Sequence, residues 1–197
     1  QVVSVFGLGS MGLGVACSAL AGGYDVFGFD IDAQSQSNFI ARGGQCGMMK
    51  NAIAKSTVVI SVVLNGAQTE DLLFGVEGVV PQMKAGSVVV SCATLAPETA
   101  QRLADKCEDY KVLYLDAPIS GGPVKASKGA LTIMASGPKA AFDAAMPVLR
   151  SISENVYNLG EQAGPGSAMK SVNQLLAGIH IAAMGEALTF GISQGID

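Results

Sequence analysis

The chain has 197 residues, enough for one domain with a sizeable core, or for one domain and part of another. A net charge of −4 and a pI of about 4.9, without a cluster of Lys or Arg, argue against nucleic acid as a partner. Apolar residues make up 49% of the chain, an excess that parallel strands buried on both faces would explain. No membrane span is predicted, because the apolar stretch from Leu175 contains His180 and stops at Glu186.

Apolar, β-branched runs alternate with helical patterns from the first residues to Asp116. The predicted strands are Val2–Phe6, Tyr24–Phe29, Thr57–Val63, Ser87–Ser91 and Val112–Asp116. The predicted helices are Ser10–Ala21, Ala33–Ala41, Ala67–Phe74 and Pro97–Cys107, and Lys50–Lys55 is at best a short helix. This alternation predicts an α/β fold with a Rossmann-type, doubly wound and mostly parallel sheet.

The second half of the chain predicts an extension of the sheet and then a long helix. Two apolar runs, Leu131–Ala135 and Asn155–Leu159, flank a helical pattern at Lys139–Leu149, and we expect them to extend the sheet at its far edge. A Gly- and Pro-rich cluster at 160–166 marks a boundary. We therefore expect one α/β domain over residues 1–165 and a long helix over residues 166–197.

That last helix is predicted from Ser167, a plausible N-cap, to about Gln194. Apolar residues lie nearly all round it, so it must be buried on several sides. Two arrangements remain open at this point. The helix is buried in a homo-oligomer, or the chain stops where a second domain begins.

The cysteines Cys17, Cys46, Cys92 and Cys107 are far apart and show neither a CxxC pair nor metal-ligand spacing. They predict free thiols in a reducing compartment, hence a cytoplasmic protein without a metal site. Gln1 stands directly before the first strand, with no initiator Met and no signal peptide. We expect a trimmed N-terminus, so a targeting segment, organellar ones included, cannot be read.

A Gly-x-Gly-x-x-Gly turn follows the first predicted strand and opens the first predicted helix. Its residues are Gly7, Leu8, Gly9, Ser10, Met11 and Gly12. In a dinucleotide site, Gly7 permits the sharp turn, Gly9 lets a pyrophosphate approach the backbone, and Gly12 lets helix and strand pack closely. Asp30 ends the second strand 18 residues beyond Gly12, near the spacing of a ribose-binding carboxylate. The alternative is an ordinary surface turn with a solvated Asp.

The segment Asp116-Ala-Pro-Ile-Ser-Gly-Gly-Pro123 follows the fifth predicted strand, at the edge where open α/β sheets bind ligands. Ser120 offers a hydroxyl, and Gly121 and Gly122 offer consecutive unhindered N–H groups suited to a carboxylate. The alternative is a Gly-rich turn that ends a strand.

Lys170 and Asn173 are three residues apart in the first turns of the apolar helix, so they share one face. Burial there would lower the lysine pKa toward that of a general base, whereas a solvated first-turn lysine is the plain alternative. His180 lies further along the helix and is better interpreted as a core or interface residue. Asn65 and Thr94 stand at strand ends, where turn capping is their alternative role.

Three motifs together resemble the β-hydroxyacid dehydrogenase family, which includes 3-hydroxyisobutyrate dehydrogenase, tartronate semialdehyde reductase and threonate dehydrogenase. They are Gly7-Leu-Gly-Ser-Met-Gly12, Asp116-Ala-Pro-Ile-Ser-Gly-Gly122 and Gly164-x-Gly166-x-x-x-Lys170-x-x-Asn173. The resemblance covers essentially the whole chain. The stretch that begins at Asn173 is most similar to the threonate dehydrogenase branch.

The resemblance implies NAD as the cofactor, a small hydroxy acid as the substrate and Lys170 as the catalytic acid/base. It implies that Ser120, Gly121 and Gly122 hold the substrate carboxylate and that Asn173 positions substrate beside the lysine. It also implies cofactor contacts for Leu64, Asn65 and Thr94. By the resemblance, residues 1–165 are an NAD-binding domain, residues 166–197 are the first long helix of an all-helical second domain, and a homo-oligomer forms through that helical domain.

The sequence departs from the family at Gln174, where many relatives have a second Asn. A different class of function stays open as well, because some relatives that lost the catalytic lysine are binding or scaffold modules. Lys170 is present here, and a purely structural role would leave the glycine turn and Asp30 unexplained.

Overall fold

In the computed structural model, which describes residues 1–196, five parallel strands form a central sheet. They are β1 (Val2–Phe6), β2 (Asp25–Phe29), β3 (Val58–Ser61), β4 (Val88–Ser91) and β5 (Leu113–Asp116). Their order is β2-β1-β3-β4-β5. The chain therefore winds away in opposite directions from β1 and β3, which leaves a crevice beyond their carboxyl ends. The predicted Rossmann-type sheet is confirmed, and each strand lies within its predicted run.

Helices cover both faces of this sheet. They are α1 (Gly12–Ala21), α2 (Ala33–Ile40), α3 (Met49–Lys55), α4 (Gly66–Phe74) and α5 (Pro97–Asp109). Because successive side chains of a strand point to opposite faces, Val58 and Ile60 pack in a cluster with α1, whereas Val59 packs in another with α3, α4 and α5. Apart from the hydroxyl of Tyr114, both clusters consist of apolar side chains, which accounts for the high apolar content of the chain.

The expectation that the later strands extend this sheet is wrong. The strands β6 (Ile119–Ser120), β7 (Leu131–Ala135) and β8 (Ser153–Asn158) form a separate three-stranded sheet, accompanied by helices α6 (Gly122–Ala126) and α7 (Lys139–Ile152). The backbone turns at Gly121 (φ +131°) and Gly122 (φ +74°), so β7 runs antiparallel to β6 and cannot continue the parallel order. One isolated antiparallel bridge, Asp116–Ser136, joins the two sheets.

The last helix, α8 (Pro165–Ser193), is buried only near its start, at Gly166, Ser167 and Lys170. Beyond those turns its large apolar side chains are exposed, Leu188 and Phe190 by 61% and 67%. By length and by the mean hydropathy of an 18-residue window, 1.6, α8 is the one helix in the described part that could cross a membrane. The sequence argument counted only an uninterrupted apolar run, whereas this average over 18 residues allows up to two charged residues within the window. A core helix of a soluble protein meets the same test.

Candidate functional site

The turn between β1 and α1 can only be built from glycines at two positions. Gly7 has φ +87°, and a Cβ atom there would overlap the carbonyl oxygen of Val62. A Cβ atom at Gly12 would overlap the carbonyl oxygen of Gly7. At Gly9, by contrast, a Cβ atom would meet nothing within 4 Å. The open side at Gly9 is therefore room that the fold itself does not use, as expected of a cradle for a ligand.

Asp30 ties the end of β2 to the glycine turn. Its Oδ2 accepts a hydrogen bond from the backbone N–H of Leu8 at 2.5 Å, and its Oδ1 accepts one from the N–H of Asp32 at 2.9 Å. A carboxylate oxygen can accept more than one hydrogen bond, so each oxygen keeps capacity for a hydroxyl donor. The carboxylate is thereby held beside the turn in a position suited to a ribose.

A cavity of about 360 Å³ opens at the carboxyl edge of the sheet. It brings together ten of the residues predicted for the site: Gly9, Ser10, Met11, Gly12, Leu64, Thr94, Ser120, Gly121, Gly122 and Lys170. The other predicted residues, Gly7, Leu8, Asp30, Asn65 and Asn173, do not line it. Six lining residues were not predicted for the site: Val62, Val63, Cys92, Ala93, Ile119 and Gln174. Val62 and Val63 follow β3, and Cys92 and Ala93 follow β4. Because the carboxyl ends of parallel strands meet at this edge, their positions at or directly after the ends of predicted strands could have identified them as lining residues.

Asn65 serves as the N-cap of α4. Its Oδ1 accepts a hydrogen bond from the N–H of Gln68 at 2.9 Å, and the Gln68 side chain accepts one from the N–H of Leu64 at 2.9 Å. This reciprocal pair satisfies backbone donors at the start of the helix. The capping alternative therefore describes what the Asn65 side chain does within the chain, and its cofactor contact stays a prediction.

Lys170 points into the cavity from the second turn of α8 and is only 8% exposed. Desolvation by burial lowers the pKa of its amine below the ordinary value, because burial disfavours the charged form. Its Nζ lies 3.4 Å from Oδ1 of Asn173, and no ion pair within residues 1–196 involves it. A lysine held in this way can take up a proton from a neighbouring group.

Ser120, Gly121 and Gly122 form another part of the cavity wall. The N–H groups of Gly121 and Gly122 form no hydrogen bond within the described residues. A Cβ atom at Gly122 would meet nothing within 4 Å. Free backbone donors next to a hydroxyl are suited to bind a carboxylate or another small anion.

Cys92 lines the same cavity but is poorly suited to act as a nucleophile. Burial raises the pKa of its thiol to about 12, so the reactive thiolate is scarce near neutral pH. No group of three or more His, Cys, Asp or Glu side chains among residues 1–196 could hold a metal ion. Of the two titratable side chains that line the cavity, Cys92 and Lys170, only Lys170 has a pKa that burial moves toward neutral pH.

Comparison with known proteins gives the same picture. Residues 2–160 match the model of the NAD binding domain of 6-phosphogluconate dehydrogenase. An L-threonate dehydrogenase from Cupriavidus necator is 41% identical over 196 residues, which are 99% of this chain and 66% of that enzyme. The chain thus spans slightly less than two thirds of the length of this relative.

Solved structures are also similar. A 3-hydroxyisobutyrate dehydrogenase from Salmonella typhimurium superposes with a TM-score of 0.93 at 39% identity, over 98% of this chain and 68% of that one. Psf3 in complex with NADP⁺ and 2-OPP superposes with a TM-score of 0.93 at 26% identity, over 100% of this chain and 69% of that one. These matches extend through α8, so this apolar helix is part of a shared dehydrogenase fold.

Proposed function

The chain belongs to the family of the NAD binding domain of 6-phosphogluconate dehydrogenase, within the 3-hydroxyisobutyrate dehydrogenase-like group, and on that premise we propose an enzymatic function for it. It is the cofactor-binding part of an NAD-dependent oxidoreductase that oxidises the hydroxyl of a small hydroxy acid. The observation that carries the proposal is the burial of Lys170 in the wall of the cavity that opens at the glycine turn.

The Gly7–Gly12 turn and Asp30 would hold the dinucleotide, with Leu64, Asn65 and Thr94 near its nicotinamide half. When bound, the cofactor supplies the hydride acceptor. Asp30 favours NAD over NADP, because its charge repels a 2′-phosphate and the next residues, Ile31 and Asp32, offer no cation. The relative Psf3 was solved with NADP⁺, so this preference needs its own test.

Lys170 would act as the general acid/base. Oxidation of a hydroxyl requires a base that removes the proton from oxygen, and the lowered pKa of the buried amine makes its neutral form more available. Asn173 would position the substrate or the amine, since its Oδ1 lies 3.4 Å from Nζ. The lysine would return the proton in the reverse direction.

The substrate would be a small carboxylate held by Ser120, Gly121 and Gly122. We favour a four-carbon sugar acid of the threonate type, because an L-threonate dehydrogenase is 41% identical. A 3-hydroxyisobutyrate dehydrogenase or a semialdehyde reductase of the tartronate or succinic type is the alternative. We place the enzyme in the cytoplasm as a homo-oligomer formed through a helical domain.

A non-catalytic binding or scaffold module is the alternative from another class. It predicts cofactor binding without turnover, and it gives no reason for a desolvated lysine in the cavity wall. The enzymatic proposal explains both the glycine turn suited to a dinucleotide and the buried lysine.

The test is a comparison of hydroxy acids with the full-length protein and NAD, using threonate, glycerate and 3-hydroxyisobutyrate. Lys170→Ala should lower kcat by roughly 10²–10⁴-fold, the usual contribution of a positioned acid/base, and leave NADH binding nearly unchanged. Lys170→Arg should not restore activity, because a guanidinium stays protonated. The matched control, Lys128→Ala, removes an exposed lysine outside the cavity and should be neutral. Near-native turnover in Lys170→Ala would reject the assignment.

A further inference from the structure

Asp116 is buried at the end of β5 and binds the first turn of α8, although the sequence placed it in no functional role. Its Oδ2 accepts hydrogen bonds from the N–H groups of Gly164 and Ser167 at 3.0 and 2.8 Å. Its Oδ1 accepts one from the hydroxyl of Ser167 at 2.7 Å. The first turn of a helix has N–H groups without intrahelical partners, and here a side chain from the central sheet binds two of them.

Ser136, which follows β7, completes this arrangement. Its Oγ accepts a hydrogen bond from the N–H of Gly166 at 2.9 Å and lies 3.3 Å from Oδ2 of Asp116, to which it can donate. Pro165 has no N–H group. All the free backbone donors at the start of α8, from Gly164 to Ser167, are therefore bound by one carboxylate and one hydroxyl.

The carboxylate of Asp116 has no exposed surface. Desolvation raises its pKa, and the hydrogen bonds from Ser167, Gly164 and Ser136 oppose that rise. Four donors converge on its two oxygens, an arrangement that a carboxylate accepts in full and that an amide or a protonated acid does not. The positive end of the α8 dipole also favours a negative charge at this place.

The packing below this turn leaves no space for a side chain at position 166. A Cβ atom at Gly166 would lie 2.5 Å from the carbonyl oxygen of Met134 and 2.8 Å from that of Asp116. The first turn of α8 thus lies directly on the backbone of both sheets. Only a glycine allows this close approach, and the hydrogen bonds of Asp116 hold it in place.

Lys170 follows Ser167 by three residues, so the two share one face of α8. Asp116 itself does not line the cavity. We propose that Asp116 is a positioning residue, which fixes the first turn of α8 through Ser167 and thereby sets the place and the burial of the Lys170 amine. This inference rests on the proposed function of Lys170 as acid/base.

The test compares Asp116→Asn and Ser167→Ala with the wild type in the full-length protein. Asp116→Asn keeps the shape but presents an amide to a group of donors, and Ser167→Ala removes one hydroxyl. We expect kcat to fall by up to roughly 10²-fold in Asp116→Asn, the loss that a misplacement of about 1 Å can cause, with little change in the KM for NAD. Ser167→Ala should show a smaller loss of the same kind.

A second readout separates positioning from a general loss of stability. The rate of oxidation should rise with pH as Lys170 loses its proton, and this rise is the limb of the pH–rate profile that reports Lys170. With a looser first turn the amine is better solvated, which raises its pKa, so the limb should move to higher pH in both variants. Among the cavity-lining residues Cys92 is the other titratable group, and its pKa of about 12 keeps it outside this limb. An enzyme that is only less stable would show a lower maximal rate, but its limb would stay at the same pH. An NMR titration of the lysine side chains should report the same displacement without turnover.

The control is Ser171→Ala, which removes a hydroxyl that bonds only the backbone oxygen of Ser167 within α8. It should leave kcat and the limb unchanged. If Asp116→Asn does not fold, the limb of Ser167→Ala decides. If the limbs of Asp116→Asn and Ser167→Ala stay at the wild-type pH while Lys170→Ala is inactive, the positioning role of Asp116 is overturned and the proposed role of Lys170 is retained. An active Lys170→Ala would reject the proposed function itself.

Discussion

Asp30 and Leu8, at the ends of neighbouring strands, are joined by a hydrogen bond of 2.5 Å from backbone N–H to carboxylate. The acidic residue expected to bind a ribose therefore also stabilises the turn that would hold the pyrophosphate. Changes at Asp30 act on both functions, and suitable substitutions can separate them.

Asp30→Asn keeps an oxygen that can accept the Leu8 N–H but removes the charge. We expect it to narrow the preference for NADH over NADPH and to lower stability less than Asp30→Ala does, because only the exposed N–H of Asp32 loses its acceptor. Asp30→Ala should narrow the preference as well and also lower the free energy of unfolding by about 1–3 kcal/mol, because the Leu8 N–H loses its partner. Fluorescence titrations with both reduced cofactors and urea unfolding measure the two effects. An unchanged preference in Asp30→Asn would contradict the role of its charge.

The rate of oxidation should rise with pH along a limb that lies below pH 10.5, the ordinary value for lysine. Burial lowers the pKa of Lys170, and the neutral amine is the form that accepts a proton, so the competent fraction grows as pH rises through that lowered pKa. Initial rates with saturating NAD and hydroxy acid would trace the limb. It should be absent from the residual activity of Lys170→Ala. A limb at or above the ordinary lysine value would show that the amine is solvated.

Gly9→Ala and Gly12→Ala should separate cofactor binding from folding. A methyl group at position 9 meets nothing within 4 Å, so the fold should tolerate it while NADH binding weakens by at least tenfold, about 1.4 kcal/mol. A methyl group at position 12 overlaps the carbonyl oxygen of Gly7, so this variant should unfold more easily. Thermal unfolding and NADH fluorescence distinguish the two. Equal stability losses in both variants would contradict this division.

The exposed apolar surface of α8 predicts self-association of the protein comprising residues 1–197. Contiguous apolar patches of this kind are rare on monomers. Sedimentation should show an average mass that increases with protein concentration. The double variant Leu188→Lys/Phe190→Lys should reduce this increase. Val76→Lys, at an apolar residue outside α8 that is even more exposed, is the control. A strictly monomeric wild type would refute the prediction.

The sheet was predictable because its signals are local. The run Val2–Phe6, the glycine turn and the alternation of strands with helices each follow from short stretches of sequence, and parallel strands then have a limited choice of order. The bounds differ by a few residues, as at α1, which begins at Gly12 rather than Ser10. Helix ends are the least determined part of such a pattern.

The contacts that organise the site were less accessible. Asp116 and Ser167 are 51 residues apart, and nothing in the spacing indicates that they meet. An acidic residue at the end of an otherwise apolar strand was the one available signal, because a buried carboxylate requires several donors. The second sheet was missed for a similar reason, since it depends on the turn at Gly121 and Gly122, whose direction the sequence does not specify.

The hydrogen bonds from the start of α8 to Asp116 and Ser136 also bear on which part of this helix can move relative to the sheets. Those to Asp116 join the first turn of α8 to the end of β5, and the Gly7–Gly12 turn follows β1 of the same sheet, so we expect Lys170 to keep its position relative to the glycine turn. We expect any bend in α8 to lie beyond Lys170, because that part of the helix has no buried residue and contains Gly178, which lowers helix propensity. A bend at Gly178 would lie beyond Gln174 as well, so both Lys170 and the cavity wall at Gln174 would keep their places while the distal part of α8 moved.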